Sequence, residues 1–300
     1  MVVAITLTEK IPFEANAWKS VKLPAVPCIT EIDLRVILKV STGGNGGTPS
    51  AHAPVSIVKN INVSKGGDYP IQAEGWLLFV KNYYEYGGKI KKDALPTGAN
   101  ATATVEFELI IHPGYHVKRK DDDTVALRAD DKDTYLNILW GSANDLGSGY
   151  SVDASASYAE VTVWYRNDTL PQRTPAWEVT TKSIDRTYSD LEFELTLPEG
   201  KKIPKVILEI LDSGGADSDN VVSEIGLIDK RGVRKVLHKV SYFAQVYDDK
   251  RRYLVDPLTG HVIFDAGELG LAYLVGTKYV VLGMTTRATG SVKALLPAHL

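Results

Sequence analysis

The sequence predicts an all-β protein made of two tandem, related β domains with short amphipathic helices. Three observations predict it: short β-type runs between turn residues along the whole length, a set of segments that recurs about 165 residues later in the same order, and a proline-bearing linker near the midpoint. Three hundred residues are enough for two domains that each bury a sizeable core.

The strand candidates are rich in Val, Ile, Tyr and Thr and are bounded by Gly, Pro, Asp and Asn clusters. In order they are Ile32–Val40, Val55–Val63, Val105–Ile111, Tyr135–Trp140, Ala159–Tyr165, Leu191–Leu197, Val206–Leu211, Val222–Ile228, His261–Phe264 and Tyr279–Met284. In the third, Val105, Phe107, Leu109 and Ile111 alternate with Glu106 and Glu108, the pattern of a strand with one buried face. Two segments have helical period instead. Trp76, Phe79, Val80, Tyr83 and Tyr84 share a face if Ala73–Tyr86 is a helix stopped by Gly87-Gly88, and that stripe places Trp76 in the core. Tyr242, Phe243, Val246 and Tyr247 repeat the arrangement, with the charged run Asp248–Arg252 expected as a solvated turn after the helix.

Asn167–Thr181 is the expected linker, because Pro171 and Pro175 each lack a backbone donor and interrupt a ladder. It divides the chain into residues 1–170 and 171–300, with Trp164 and Trp177 expected to pack at the junction. Ser41–Pro54 reads as a long flexible loop and Ser213–Asn220 as its shorter counterpart.

The recurrence is specific. Val36–Val40, followed by Ser-Thr-Gly-Gly, matches Val206–Ile210, followed by Leu-Asp-Ser-Gly-Gly, at an offset of 170 residues. Val58, Ile61 and Val63 match Val222, Ile225 and Leu227 at 164, and Trp76, Leu77 and Val80 match Tyr242, Phe243 and Val246 at 166. Val105–Phe107 then pairs with Val262–Phe264 and Tyr135–Leu139 with Tyr279–Leu282, at offsets that shrink to 157 and 144. The shrinkage implies that the second half lacks the charged loop Tyr115–Asp133 of the first.

Composition excludes several function classes. Formal charge is −3, from 34 basic and 37 acidic side chains, so no broad positive field attracts nucleic acid and none is expected to bind directly. The lone Cys28 has no disulfide partner within the chain and zinc sites need several clustered ligands, so no metal or other cofactor is expected. The start has no basic stretch followed by an apolar one, and no apolar run reaches the roughly 20 residues of a membrane span, so synthesis in a cytoplasm is expected. Among the six histidines only His112 and His116 lie close, and Pro113-Gly114 between them makes a turn rather than a helical ligand pair. Asp121–Asp123 with Asp130, Asp131 and Asp133 could supply oxygens to calcium, but interleaved Lys118–Lys120, Arg128 and Lys132 favour a solvated loop. Asn62, Asn100 and Asn167 head N-x-S/T triplets, to which no glycosylation is assigned. No nucleophile elbow, phosphate loop or catalytic Cys-His pair is visible, so no catalytic residue is expected.

Val55–Tyr84, from VSIVKNINVSKGGDYP through the helix start Gly75-Trp76-Leu77, resembles the double jelly-roll major capsid proteins, as does the preceding Ile29–Val40. That family includes adenovirus hexon and the coat proteins of tailless phages and archaeal viruses with an internal membrane. The resemblance implies two eight-stranded jelly rolls and a structural coat function without enzymatic activity. It also implies self-association as a homotrimeric, pseudo-hexagonal tile of an icosahedral shell, with neighbouring capsomers, a second coat protein and an internal membrane as further partners. The rival reading is a carbohydrate-binding β-sandwich of a phage spike, which would collect its aromatics at one edge of the sandwich. A jelly-roll glycoside hydrolase would instead need two carboxyl groups facing each other across a cleft.

Overall fold

The computed structural model describes residues 2–114, 125–266 and 274–300. The chain divides into two compact units between Pro175 and Ala176. Each is a sandwich of two antiparallel sheets with four principal strands apiece; in the first unit the short strands Ile11–Pro12 and Tyr150–Val152 also join one of the sheets.

In the first unit the strands are β1 (Val2–Thr6), β2 (Trp18–Lys22), β3 (Cys28–Thr42), β4 (Val58–Lys65), β5 (Asp68–Ala73), β6 (Thr102–Ile111), β7 (Thr134–Trp140) and β8 (Tyr158–Arg166), with helix α1 (Gly75–Glu85) between β5 and β6. One sheet runs β1-β8-β3-β6 and the other β2-β7-β4-β5. The second unit has β9 (Glu178–Ile184), β10 (Phe193–Thr196), β11 (Lys205–Asp212), β12 (Val222–Asp229), β13 (Lys235–Ser241), helix α2 (Tyr242–Tyr253), β14 (His261–Asp265), β15 (Val280–Thr286) and β16 (Gly290–Leu296). Its sheets run β9-β16-β11-β14 and β10-β15-β12-β13, the same order strand for strand. Every recurrence seen in the sequence falls on equivalent elements: β3 with β11, β4 with β12, α1 with α2, β6 with β14, β7 with β15.

Period-2 patterning explains which face each strand buries. Leu34, Val36 and Leu38 of β3, Phe107 and Leu109 of β6, Ile61 and Val63 of β4 and Leu136 and Ile138 of β7 are buried, while Glu106 and Glu108 remain partly exposed. The second core repeats this with Val206, Leu208 and Ile210 of β11, Val262 and Phe264 of β14, Ile225 and Leu227 of β12, and Leu282 and Met284 of β15 in one cluster.

Several expectations are corrected. Val55–Ile57 forms a 3-10 turn before β4 begins at Val58. The linker is shorter than expected, because Glu178–Thr181 already belongs to β9, paired with Leu296–Lys293 of β16. Ser41–Pro54 is not an open loop: Thr42 extends β3, Gly43 bridges Gly46, and Thr48–Pro49 pairs with Gly147–Ser148. Trp177 is buried, whereas Trp164 is 37% exposed on β8 and donates its indole N–H to Asp33 Oδ2 at 2.7 Å. The contraction of the second unit is spread over three connections rather than one. Residues 86–101 after α1 correspond to 254–260 after α2, 112–133 before β7 to 266–279 before β15, and 141–157 before β8 to 287–289 before β16.

The two helices also align one residue away from the sequence match. They begin at Gly75 and Tyr242, and each is closed by a left-handed residue, Gly87 at φ 61° and Leu254 at φ 56°, so the offset is 167. Asp248–Arg252 therefore lies inside α2, not in a turn after it.

Candidate functional site

The first feature common to both units is a polar clamp on the edge strand that follows the helix. An edge strand presents unpaired N–H and C=O groups and will pair with another chain unless it is covered. In the first unit Asn82 of α1 is fully buried; its Nδ2 donates to the Ile110 carbonyl at 2.8 Å and its Oδ1 accepts from the Ile110 amide at 2.8 Å. One side chain thus replaces a ladder partner for one residue of β6. The chain after α1 extends the cover: the Asp93 amide bonds the Glu106 carbonyl at 2.9 Å, the Glu108 amide bonds the Lys91 carbonyl at 3.1 Å, and Asp93 Oδ2 accepts from the Glu106 amide at 2.9 Å.

In the second unit two side chains share that task. Asp249, at the position of Asn82, accepts from the Ile263 amide at 2.8 Å, and Gln245, one turn earlier, donates to the Ile263 carbonyl at 2.9 Å. Both are fully buried, which explains why α2 turns polar residues inward. In α1 a second buried polar pair, Lys81 with Glu85 at 2.6 Å, spans one turn of the same helix. Breaking such a pair strands a buried charge.

The second feature is what the helices show outward. On α1, Trp76 is stacked on His52 with centroids 4.1 Å apart and on Phe79 at 5.4 Å, and Lys92 lies 5.1 Å from its ring. Val80 is fully buried. On α2 the residues at these positions, Phe243 and Tyr247, are 55% and 62% exposed, and Leu254 at the helix end is 82% exposed. Two connections supply the cover on α1, His52 from the segment before β4 and Lys92 from residues 86–101, and the segment after α2, 254–260, is shorter than its counterpart. Of the stripe expected to seat α1 in the core, Phe79, Val80 and Tyr84 are buried and Trp76 and Tyr83 are half-buried, whereas on α2 Phe243 and Tyr247 are open.

The third feature is an acidic pair on the outward side of β3. Glu31 and Asp33 lie two residues apart, so their side chains emerge on the same face. Burial, and next the neighbouring Asp33 carboxyl, push the Glu31 carboxyl up to about 8. Burial also raises Asp33, against the hydrogen bond from Trp164. Tyr86 is raised by burial and by the Glu31 charge. Folded Glu31 keeps its proton to about pH 8, whereas an unfolded glutamate loses it near 4.3. Unfolding between those values releases a proton, so this contribution to stability is complete below the unfolded value and is lost as pH rises through the folded one. We predict that thermal stability falls between about pH 5 and 8 and that Glu31→Gln flattens this slope; an unchanged slope in the variant would reject the assignment.

Other candidate residues are not gathered. Asp130 pairs with Arg128 at 2.6 Å, Asp131 with Lys65 at 2.8 Å and Asp133 with Lys22 at 2.6 Å, so each carboxylate is held by its own cation. Asp121–Asp123 and His116 lie outside the described residues. No described helix is long and apolar enough to cross a membrane.

No family model and no curated protein matches the sequence. Solved structures do match it over its full length. The major capsid protein of Sulfolobus turreted icosahedral virus superposes with a TM-score of 0.83 at 18% identity, covering 100% of this chain and 97% of its own. The major capsid protein of bacteriophage PM2 gives 0.65 at 15% identity, covering 100% and 97%. The PBCV-1 virus capsid gives 0.64 at 13%, covering 100% and 93%. These neighbours are double jelly-roll capsid proteins. The chain has the double jelly-roll fold.

Within that fold the two rolls carry the same edge clamp in different residues, Asn82 in one and Gln245 with Asp249 in the other. Sequence reasoning missed all three, because a polar residue on an amphipathic helix is ordinarily assigned to solvent. The available signal was spacing: Gln245 and Asp249 stand at i and i+4, on the same side as Tyr242.

Proposed function

We propose that this double jelly-roll chain is a structural coat protein of an icosahedral virus, working by self-association rather than catalysis. The observation that carries the reading is the match of both rolls, over the entire chain, to proteins described as viral major capsid proteins. Its place is the virion, it is made in the host cytoplasm, and its partners are further copies of itself and neighbouring capsomers.

The finer reading is a homotrimer, in which three chains of two similar rolls supply six near-equivalent walls. The exposed stripe of α2 supports it. Leu254 combines a left-handed backbone, which costs a non-glycine residue roughly 1–2 kcal/mol, with an apolar side chain 82% exposed. Glycine holds the equivalent place in α1. Such a residue is accounted for when a second copy covers it. The edge clamps support it too, because β6 bonded at Glu106, Glu108 and Ile110 and β14 bonded at Ile263 are poor templates for open-ended strand pairing and direct association to side-chain surfaces.

As accounts of what the whole chain does, the rival readings fare less well on their own criteria. On α1, Tyr84 is buried, and Trp76, Phe79 and Tyr83 pack against one another rather than lining a sandwich edge. Glu31 and Asp33, the perturbed carboxyl pair, sit on one strand and do not face each other across a cleft. Electron microscopy of the purified protein tests the proposal: class averages with a six-lobed outline built from three chains are expected, and a two-fold dimer or isolated single chains would reject the tile.

A further inference from the structure

Outward from the β2-β7-β4-β5 sheet of the first roll, one row of residues crosses all four strands. Ser20 pairs with Asn137, Asn137 with Asn62, and Asn62 with Gln72. At the strand spacing of about 4.8 Å the row is roughly 14 Å long. It floors a cleft of about 440 Å³, within the range of small-ligand sites. Trp18 on the β2 edge and Tyr69 on the β5 edge also line it, 49% and 54% exposed.

The fold does not require this row. In the second roll the corresponding positions across β10, β15, β12 and β13 are Glu194, Gly283, Gly226 and Lys239. There Leu191 lies directly over the two glycines: a Cβ on Gly226 would come within 2.6 Å of its Cδ1, and one on Gly283 within 2.9 Å of its Cβ. The second roll closes the position with an apolar plug. The first leaves it open and lines it with amides and hydroxyls.

The chemistry narrows the occupant. Asn137 Nδ2 donates to Asn62 Oδ1 at 2.7 Å and to Ser64 Oγ at 3.0 Å, which leaves the Asn137 oxygen as an acceptor and the Asn62 amide N–H groups as donors. Gln72 and Ser20 add groups that both donate and accept, which matches hydroxyl groups, each of them donor and acceptor at once. The one cationic lining residue, Lys19, is tied to Glu14, so the cleft has no unbalanced charge for a phosphate or a carboxylate. A lipid tail finds no apolar floor. Two aromatic side chains at the ends of a neutral, hydroxyl-matching row fit the alternating C–H and O–H surface of a sugar.

We propose that this cleft binds a neutral saccharide, once per chain, as a function separate from coat assembly. The test uses cellobiose, lactose, mannobiose and chitobiose as probes in ligand-observed NMR and calorimetry on the full chain, beside Trp18→Ala, Asn62→Leu and Gln72→Ala variants checked for unchanged melting. Gln72 and Trp18 are exposed, so at least these two variants should fold. Binding of at least one probe at millimolar affinity or better, weakened tenfold or more by the variants, is expected. No response to any probe up to about 20 mM, or binding that survives all three substitutions, overturns the proposal. A Trp18→Ala chain that loses self-association while wild type ignores every probe would assign the cleft to a contact between copies and equally overturn it. A monomer that binds sugar would keep this site and reject the coat reading, so the two failures are distinguishable.

Discussion

Replacing Asn82 with alanine is expected to lower the stability of the first roll by about 2–4 kcal/mol, the cost of leaving two buried backbone groups unpaired. The side chain satisfies both the amide and the carbonyl of Ile110, at 2.8 Å each, from a position with no solvent access through which water could replace it. Asp249→Ala should weaken the second roll by a similar amount, since the Ile263 amide loses its acceptor and Gln245 loses a neighbour at 3.3 Å. Asp249→Asn, which keeps an acceptor oxygen, should recover part of the loss. Both alanine variants should also aggregate more readily, because an uncovered edge is a template for strand pairing. Denaturant titration followed by circular dichroism reads the effect; shifts under about 0.5 kcal/mol, the scale of an ordinary surface substitution, would show that the clamps are incidental.

The second large effect is on association. Phe243→Asp together with Tyr247→Asp should abolish oligomers while leaving folding intact, because both side chains are more than half exposed and neither is part of the second core cluster. Leu254→Gly makes a sharper test because its two readouts move in opposite directions. The isolated chain should gain about 1 kcal/mol from relief of the left-handed backbone, and the oligomer should weaken from loss of the apolar contact. If the stripe were only an exposed helix face, the glycine variant would stabilise the chain and leave its association unchanged. Sedimentation beside thermal melting separates these outcomes.

Much of this architecture is legible in the sequence, because strand patterning and duplication are both local signals. Val105, Phe107, Leu109 and Ile111 announce their buried face by period alone, and Val36–Val40 against Val206–Ile210 announces the repeat. The fold name needed the resemblance around Gly75-Trp76-Leu77. What stayed hidden depends on tertiary partners. Asn82, Gln245 and Asp249 are buried because an edge strand needs their polar atoms, a requirement that no helical pattern encodes. Asp248–Arg252 continues α2 although a mixed-charge run reads as a turn; Asp249 is anchored to Ile263, and Lys250, Arg251 and Arg252 sit at the C-terminal end, where the helix dipole favours cations. The one-residue slip in helix alignment arose because Trp-Leu and Tyr-Phe match by residue type, whereas the clamps and the left-handed residues at 87 and 254 set the true register. The neutral row from Ser20 to Gln72 was invisible for a similar reason: its four members come from four strands, and only the pairing brings them together.

Association of this two-roll chain with copies of itself is read by light scattering on the purified protein across a concentration and salt series. A stable species of about 98 kDa, three copies of the 32.8 kDa chain, is the expected result. A 32.8 kDa monomer at every concentration and salt would contradict it.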